Sequence, residues 1–295
     1  PGAAGAGTGA EPLWTPGPGR IAATQIDAFR RAVGVDGGYR ELHRWSVDHP
    51  VDFWQAVWNH LGVVGDPGST VVDRDGASHL TGTRWFPDGC LNFAENLLGA
   101  ADDRPALVFR GEDPTLAGGL RTLTRRDLHA LVSRLQQALL EMGVEPGDRV
   151  AAWLPNVPET CAVMLAAASI GATFSSTSPD FGASGVIDRF GQIRPVVLFT
   201  TDGYRYGGRR HDVTGRLAEV AAALPEVRRV VVVPEDPTAG PVGTLPDGAL
   251  SLEAFLAPYE AEEVRFLDLP FDHPLYILYS SGTTGRPKCI VHRAG

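Results

Sequence analysis

Residues 149–171 read RVAAWLPNVPETCAVMLAAASIG. The first six, 149–154, are apolar after the opening arginine and show no polar alternation, the pattern of a strand covered on both faces. Residues 158–171 open on a proline and run apolar on every side, which describes a helix buried in a core. Asn156 and Glu159 sit just after the strand end, where a turn and a helix N-terminus both favour such residues. A non-alternating strand followed at once by a buried helix is the repeating unit of a mainly parallel sheet flanked by helices.

The same unit recurs outward from this stretch. ALVF (106–109) reads as a strand, and RRDLHALVSRLQQALLEMG (125–143) as an amphipathic helix with Leu128, Leu131, Leu135 and Leu139 on one side, closed by Gly143. PVVLFT (195–200), RVVVVP (229–234) and LYILYS (275–280) read as strands, and VTGRLAEVAAAL (213–224) as a helix. The expected fold class is therefore α/β, with layered, mainly parallel sheets flanked by helices. Upstream, from about residue 24 to 100, the pattern is helical and aromatic. PVDFWQAVWNHLG (50–62) sets Phe53, Trp54, Val57, Trp58 and Leu61 along one stripe, the spacing of a packing face. Residues 234–251 are rich in Pro, Gly and Asp and read as an exposed loop. Residues 1–20 have neither the basic nor the apolar region of a signal peptide and read as a flexible lead.

Composition narrows the partners. With 295 residues and 43% hydrophobic content the chain can bury one large core or two smaller ones. A formal charge of −9 repels polyanions at long range, so neither nucleic acid nor an anionic membrane is an expected partner. A small anionic ligand would need a local cradle. Cys90, Cys161 and Cys289 are odd in number and lack CxxC spacing, which fits a reducing cytoplasm and no disulfide framework or zinc ribbon. The longest apolar run, CAVMLAAASIGATF (161–174), has the length of a buried helix plus turn, short of the roughly 18 residues that span a membrane.

One cradle is conspicuous: SSGTTGRPK (280–288), directly after the strand 275–280, where such sheets bind their ligands. Backbone N–H groups of a Gly-rich turn can converge on a phosphate because no Cβ blocks the approach. Hydroxyls extend the donor ring, and Lys288 adds a point charge. The spacing GxxGxxK, Pro287 before the lysine and Cys289 after it exclude both a Walker A loop and a Rossmann fingerprint.

SSGTTGRPK resembles the phosphate-loop signature of the acyl-adenylate-forming superfamily, which includes acyl-CoA synthetases, peptide-synthetase adenylation domains and firefly luciferase. Residues 121–159 are similar to its first core region and AAASIGATFSSTSPDF (166–181) to its second, in the same order. WFPDGCLNFAENLL (85–98) resembles the N-terminal cap of the short-chain acyl-CoA synthetases. Residues 174–212 and LYSSGTTGRPKCIVHRAG (278–295) look more like the acetoacetate-activating branch than the acetate-activating one, in which the loop usually reads Thr-Ser-Gly-Ser-Thr-Gly with glycine after the lysine. Acetate or propionate is the alternative acid.

The resemblance implies a two-step ligation: a carboxylate attacks the α-phosphorus of ATP, pyrophosphate leaves, and the thiol of CoA then takes the acyl group and releases AMP. It implies Mg2+ and a phosphate cradle formed by Ser280, Ser281, Gly282, Thr283, Thr284, Gly285 and Lys288, with Thr284 and Lys288 as the catalytic members. It assigns no metal-ligating side chain. It divides the chain into a lead (1–20), a helical cap (21–104) and the first part of an AMP-binding domain (105–295). The adenine, ribose and acyl sites and a mobile C-terminal domain lie downstream of this loop in the family, so the chain is expected to be an incomplete N-terminal portion, inactive alone. A non-catalytic nucleotide-binding or interaction module is the alternative of another class.

YRYGGRRHD (204–212) is a second candidate. The like-placed Arg-Gly-Gly-Arg of acetate-activating relatives binds CoA phosphates, and the carry-over rests on Gly207, Gly208 and Arg209, since Tyr206 stands where the first arginine would be. A solvated basic turn before a helix is the other reading. Cys289 and His292 read as packing residues, and Asp180 either as the cap of a helix over 184–193 or as a substrate contact.

Overall fold

A computed structural model describes residues 13–74, 82–113, 115, 119–280 and 285–295. The chain divides into two compact units, Pro1–Val63 and Val64–Gly295.

The first unit is helical, with α1 (Pro18–Ala22), α2 (Gln25–Ala32), α3 (Tyr39–Asp48) and α4 (Pro50–Leu61). Thr24 caps α2 by accepting from the Asp27 amide, and α4 opens on Pro50 and stops at Gly62 in the left-handed region. The aromatic stripe of α4 is a packing face only in part. Phe53 meets Phe29 edge to face at 5.8 Å and Trp45 at 6.0 Å, and Trp58 is buried, but Trp54 and Leu61 stay 43% and 67% exposed.

The second unit surrounds one large sheet. Around it lie short pairings: β1 (Gly65–Asp66), β4 (Cys90–Leu91) and β14 (Leu269–Pro270) in one, β2 (Val72–Arg74) with β3 (Thr83–Trp85) in another. α5 (Phe93–Leu98) is capped by buried Asn92, whose Oδ1 accepts from the Ala94 amide at 2.9 Å while its Nδ2 donates to the Leu267 carbonyl at 2.9 Å. β5 (Pro105–Arg110) and β6 (Leu120–Thr124) form a separate antiparallel hairpin, and Thr124 then starts α6 (Arg125–Glu141) through a capping box with Asp127.

The main sheet contains β7 (Arg149–Trp153), β8 (Thr173–Thr177), β9 (Val197–Thr201), β12 (Arg229–Val233), β13 (Leu250–Ser251), β15 (Pro274–Ser280) and β16 (Lys288–Arg293), in the order β13-β12-β9-β7-β8-β15-β16. Every neighbouring pair is parallel except β15 with β16. Helices α6, α7 (Pro158–Ser169) and α10 (Leu252–Leu256) cover one face, α8 (Ala183–Ile193) and α9 (Thr214–Ala222) the other. This explains the strands' lack of alternation: Val150, Ala152, Val197, Phe199 and Val231 enter one core, while Ala151, Trp153, Leu198, Val230 and Val232 enter the other.

Besides the short strands β1 to β4, in a region read as helical, and the two-residue β13, at the end of the segment 234–251 read as a loop, two strands of the main sheet were not expected. The apolar run 161–174 is a helix that ends at Ser169 and a strand that begins at Thr173, joined through Gly171 at φ +75°. A Cβ on Gly171 would stand 2.9 Å from the Leu269 side chain, so both conformation and space demand glycine. β8 is buried despite its Ser and Thr content, and the Ser175 hydroxyl is satisfied there by donating to the Ile277 carbonyl at 2.8 Å. The second is β16, exposed along its whole length as an edge strand. Among the described residues no helix is long and apolar enough to cross a membrane.

Candidate functional site

The parallel strands share one direction, so their carboxyl ends form one rim carrying Pro155–Val157, Ser178–Phe181, Asp202, Pro234–Glu235 and Ser280. Two candidate sites are built on this rim.

The first is the end of β15. Ser280 is its last residue and faces Lys288, the first of β16, across the ladder, so the strand pairing holds the two ends of the cradle side by side. Ser281, Gly282, Thr283 and Thr284 lie outside the described residues. Gly285 sits at φ +92° with nothing near a would-be Cβ, so its requirement is conformational. Gln192 at the end of α8 donates to the Pro287 carbonyl at 3.0 Å, fixing the arm that leads into Lys288. The Lys288 side chain is exposed and makes no hydrogen bond or ion pair with the described residues. Behind the strand end, Tyr279 lies 3.2 Å from Ser175 Oγ, and burial pushes its phenol up to about 12, so it stays protonated and neutral. The Arg189 guanidinium stacks 3.9 Å over the Phe181 ring on the same flank.

The second is the segment 204–212, which is a hairpin rather than a solvated turn. β10 (Gly203–Tyr206) pairs antiparallel with β11 (Arg209–Asp212), and Gly207 and Gly208 make the tip at φ +62° and +73°, the paired left-handed conformation of a two-residue I′ turn. Its basic residues are largely neutralised. Arg205 pairs with Glu235 at 2.9 Å and Asp113 at 3.6 Å; Arg210 pairs with Glu235 at 2.7 Å and with buried Asp202 at 3.4 Å. Asp202 also accepts from the amides of Glu235 and Val242, each at 2.8 Å. The Gly207 and Gly208 amides donate to the two carboxylate oxygens of Glu112, at 3.1 and 3.0 Å. The Arg209 side chain is exposed and has no hydrogen bond or ion pair with the described residues. The Tyr204 and His211 rings stack at 5.0 Å.

Between this hairpin, the β5–β6 hairpin and the ends of β7, β9 and β12 lies a cavity of about 210 Å³, with Phe109, Asn156 and Tyr204 among its lining residues. In its wall Arg121 grips Glu159 with both guanidinium arms, at 2.5 and 2.9 Å. Glu159 thus does more than start α7. Asp180 does not cap α8, whose N-cap is Gly182; it accepts instead from Ser178 Oγ at 3.0 Å, because the chain between Ser178 and Gly182 turns before the helix begins. Burial, then the nearby Asp180 carboxylate, pushes the Tyr204 phenol up. Cys289 and His292 are exposed on β16 rather than packed in a core, although the His292 ring lies 5.3 Å from that of Tyr276.

Glu112, Asp113, Asp202, Arg121 and Glu235 were missed as site residues. Asp202 had a signal, an acid directly after an apolar strand on the ligand-binding side; the others come from segments distant in sequence.

Known proteins resemble this chain over most of its length. The family described as AMP-binding enzyme matches residues 93–295, and the acetyl-coenzyme A synthetase N-terminus matches residues 39–97. An acetoacetyl-coenzyme A synthetase of Rhizobium meliloti (strain 1021) is 46% identical over 290 residues, 96% of this chain and 43% of its own length. The acetoacetyl-CoA synthetase of Macaca fascicularis is 40% identical over 283 residues, 92% of this chain and 42% of its own length. The solved acetoacetyl-CoA synthetase from Streptomyces lividans superposes with a TM-score of 0.87 at 42% identity, over 97% of this chain and 44% of that one. The chain therefore spans less than half the length of the relatives it matches.

Proposed function

The chain belongs to the AMP-binding enzyme family, and from that premise we propose that it forms the first part of an ATP-dependent acetoacetate–CoA ligase. Acetoacetate attacks the α-phosphorus of ATP to give acetoacetyl-AMP and pyrophosphate; the CoA thiol then attacks the acyl carbon, giving acetoacetyl-CoA and AMP. The observation that carries this reading is identity to acetoacetyl-CoA synthetases sustained over nearly the whole chain, cap and core alike.

Ser280, Ser281, Gly282, Thr283, Thr284, Gly285 and Lys288 cradle the β- and γ-phosphates, where donors offset charge that moves onto pyrophosphate as the P–O bond breaks. Thr284 and Lys288 act on the reacting phosphates. The exposed, unpaired ammonium of Lys288 at the strand end supports that role. Mg2+ enters with ATP as the counter-ion of its phosphates. Gly207, Gly208 and Arg209 meet phosphates of CoA in the second step. Residues 21–104 serve as the cap and 105–295 as the beginning of the AMP-binding domain, after a lead of 20 residues. The cytoplasm, where ATP and CoA are plentiful, is the proposed location, and the net negative charge disfavours nucleic acid as a partner.

Acetoacetate-dependent ATP–pyrophosphate exchange, measured with the longest protein that carries these residues, tests the reading. Acetoacetate should give a higher kcat/KM than acetate or propionate. Equal or reversed values would favour the acetyl or propionyl alternative, to which the match of residues 39–97 also points. ATP binding with no exchange for any acid would identify a non-catalytic nucleotide-binding module.

A further inference from the structure

The tip of the β10–β11 hairpin is already occupied by an anion of the chain itself. Gly207 and Gly208 present two adjacent amides, and Glu112, 95 and 96 residues away, sets one carboxylate oxygen on each. No atom lies within 4 Å of a would-be Cβ on either glycine, so the tip is open to approach from outside. The bite of a carboxylate across two amides is close to that of two phosphate oxygens, and such paired N–H groups form anion seats. Elsewhere the hairpin's cations are satisfied, Arg205 and Arg210 by Asp113, Asp202 and Glu235. The binding capacity left over is the Arg209 guanidinium and the two amides lent to Glu112.

We propose that Glu112 is an internal competitor for the CoA phosphate seat and sets its selectivity for doubly charged phosphate over singly charged anions. The proposal rests on the assignment of Gly207, Gly208 and Arg209 to CoA. Glu112 is exposed, so its carboxylate can move into water at little cost once the amides are taken. A phosphate dianion, with more charge and a third oxygen for Arg209, outcompetes it; a carboxylate or chloride ion offers no more than Glu112 already does. The carboxylates around the hairpin, Glu112, Asp113, Asp202, Asp212 and Glu235, outnumber Arg205, Arg209 and Arg210, which further disfavours weak anions.

CoA affinity is to be measured by calorimetry on the longest protein carrying these residues, for wild type, Glu112→Ala, Glu112→Gln and Arg209→Ala, with and without added acetate. Removing the competitor should tighten CoA binding about tenfold, the effect of one charge-assisted hydrogen bond, and should make binding newly sensitive to acetate. Glu112→Gln, close in shape, should move the same way by less and serves if the alanine variant folds poorly. Unchanged or weaker CoA binding by both Glu112 variants, with Arg209→Ala also weaker, would overturn the competitor role while leaving the seat in place. CoA binding unaffected by all three substitutions, or absent in wild type, would remove the seat itself and the proposal with it.

Discussion

β9 and β16 belong to one sheet and could hardly differ more. β9 is buried at all five residues between two parallel neighbours; β16 is exposed at all six, antiparallel, with one neighbour. The first is held by cores on both faces, which makes its residues interchangeable only with others of the same size. The second is held by a ladder with β15, and its value lies in where it starts, because Lys288 is its first residue. Cohesion is concentrated in the middle of the sheet and ligand chemistry at its rim, so damage to the two should separate cleanly.

The largest effect should come from the centre. Phe199 is fully buried and meets Phe255 edge to face at 6.0 Å. Phe199→Ala should cost about 3–5 kcal/mol, whereas Val291→Ala in β16 should stay within about 0.5 kcal/mol, both read from urea denaturation. Similar losses at the two positions would break the comparison.

Glu159 tests whether the rim also contains a stability element. Its carboxylate is nearly buried and bonded twice to Arg121, so Glu159→Ala strands a guanidinium in the cavity wall and should cost about 3 kcal/mol. Replacing both members by apolar residues should cost less than the single change. A double variant worse than Glu159→Ala would show that the pair contributes more than mutual neutralisation.

Lys288→Ala should leave the denaturation midpoint alone and slow ATP–pyrophosphate exchange roughly ten- to a hundred-fold, the loss of about 1.5–3 kcal/mol for one charged hydrogen bond. An unfolding shift with unchanged exchange would move Lys288 from the chemistry into the framework.

The same contrast governs what could be read from the sequence. β7, β9 and β12 were legible because burial on both faces forces continuous apolar runs, β15 by its apolar run although only Leu275 and Ile277 of it are buried, and α6 because one face alone is buried. β8 was not, since Thr-Phe-Ser-Ser-Thr lies in the interior although its residues are mostly polar, with Ser175 bonded to the Ile277 carbonyl in a way composition does not record. β16 was hidden by its polar ends and by standing at an edge, where no burial pattern is imposed. The position of the phosphate loop followed from its strand. The state of the 204–212 hairpin did not, because Glu112 and Asp113 reach it from the β5–β6 hairpin and Glu235 from the end of β12; charge counted along the sequence saw the arginines and missed their partners.

Exposure alone is not looseness, and Asp88 provides the finest test of the distinction. Its exposed carboxylate accepts from Ser69 Oγ at 2.6 Å, from the Ser69 amide at 2.8 Å and from the Thr70 amide at 3.2 Å, closing the bend after β1. The Ser69 hydroxyl bond, then the Ser69 amide, lowers its pKa from 3.8 to about 2. A depressed carboxyl contributes stability that is present above the unfolded value, 3.8, and is lost as pH falls through the folded one, about 2. Hydrogen exchange at the Ser69 and Thr70 amides should therefore be slow at about pH 5 and lose protection only towards about pH 2, while Asp88→Asn should lack that pH dependence. The overall midpoint should barely move, since the group is at the surface. An Asp88 carboxyl that titrates near 3.8 by NMR would mean that these bonds do not persist in solution, and the bend would then join β16 among the parts held only by their neighbours.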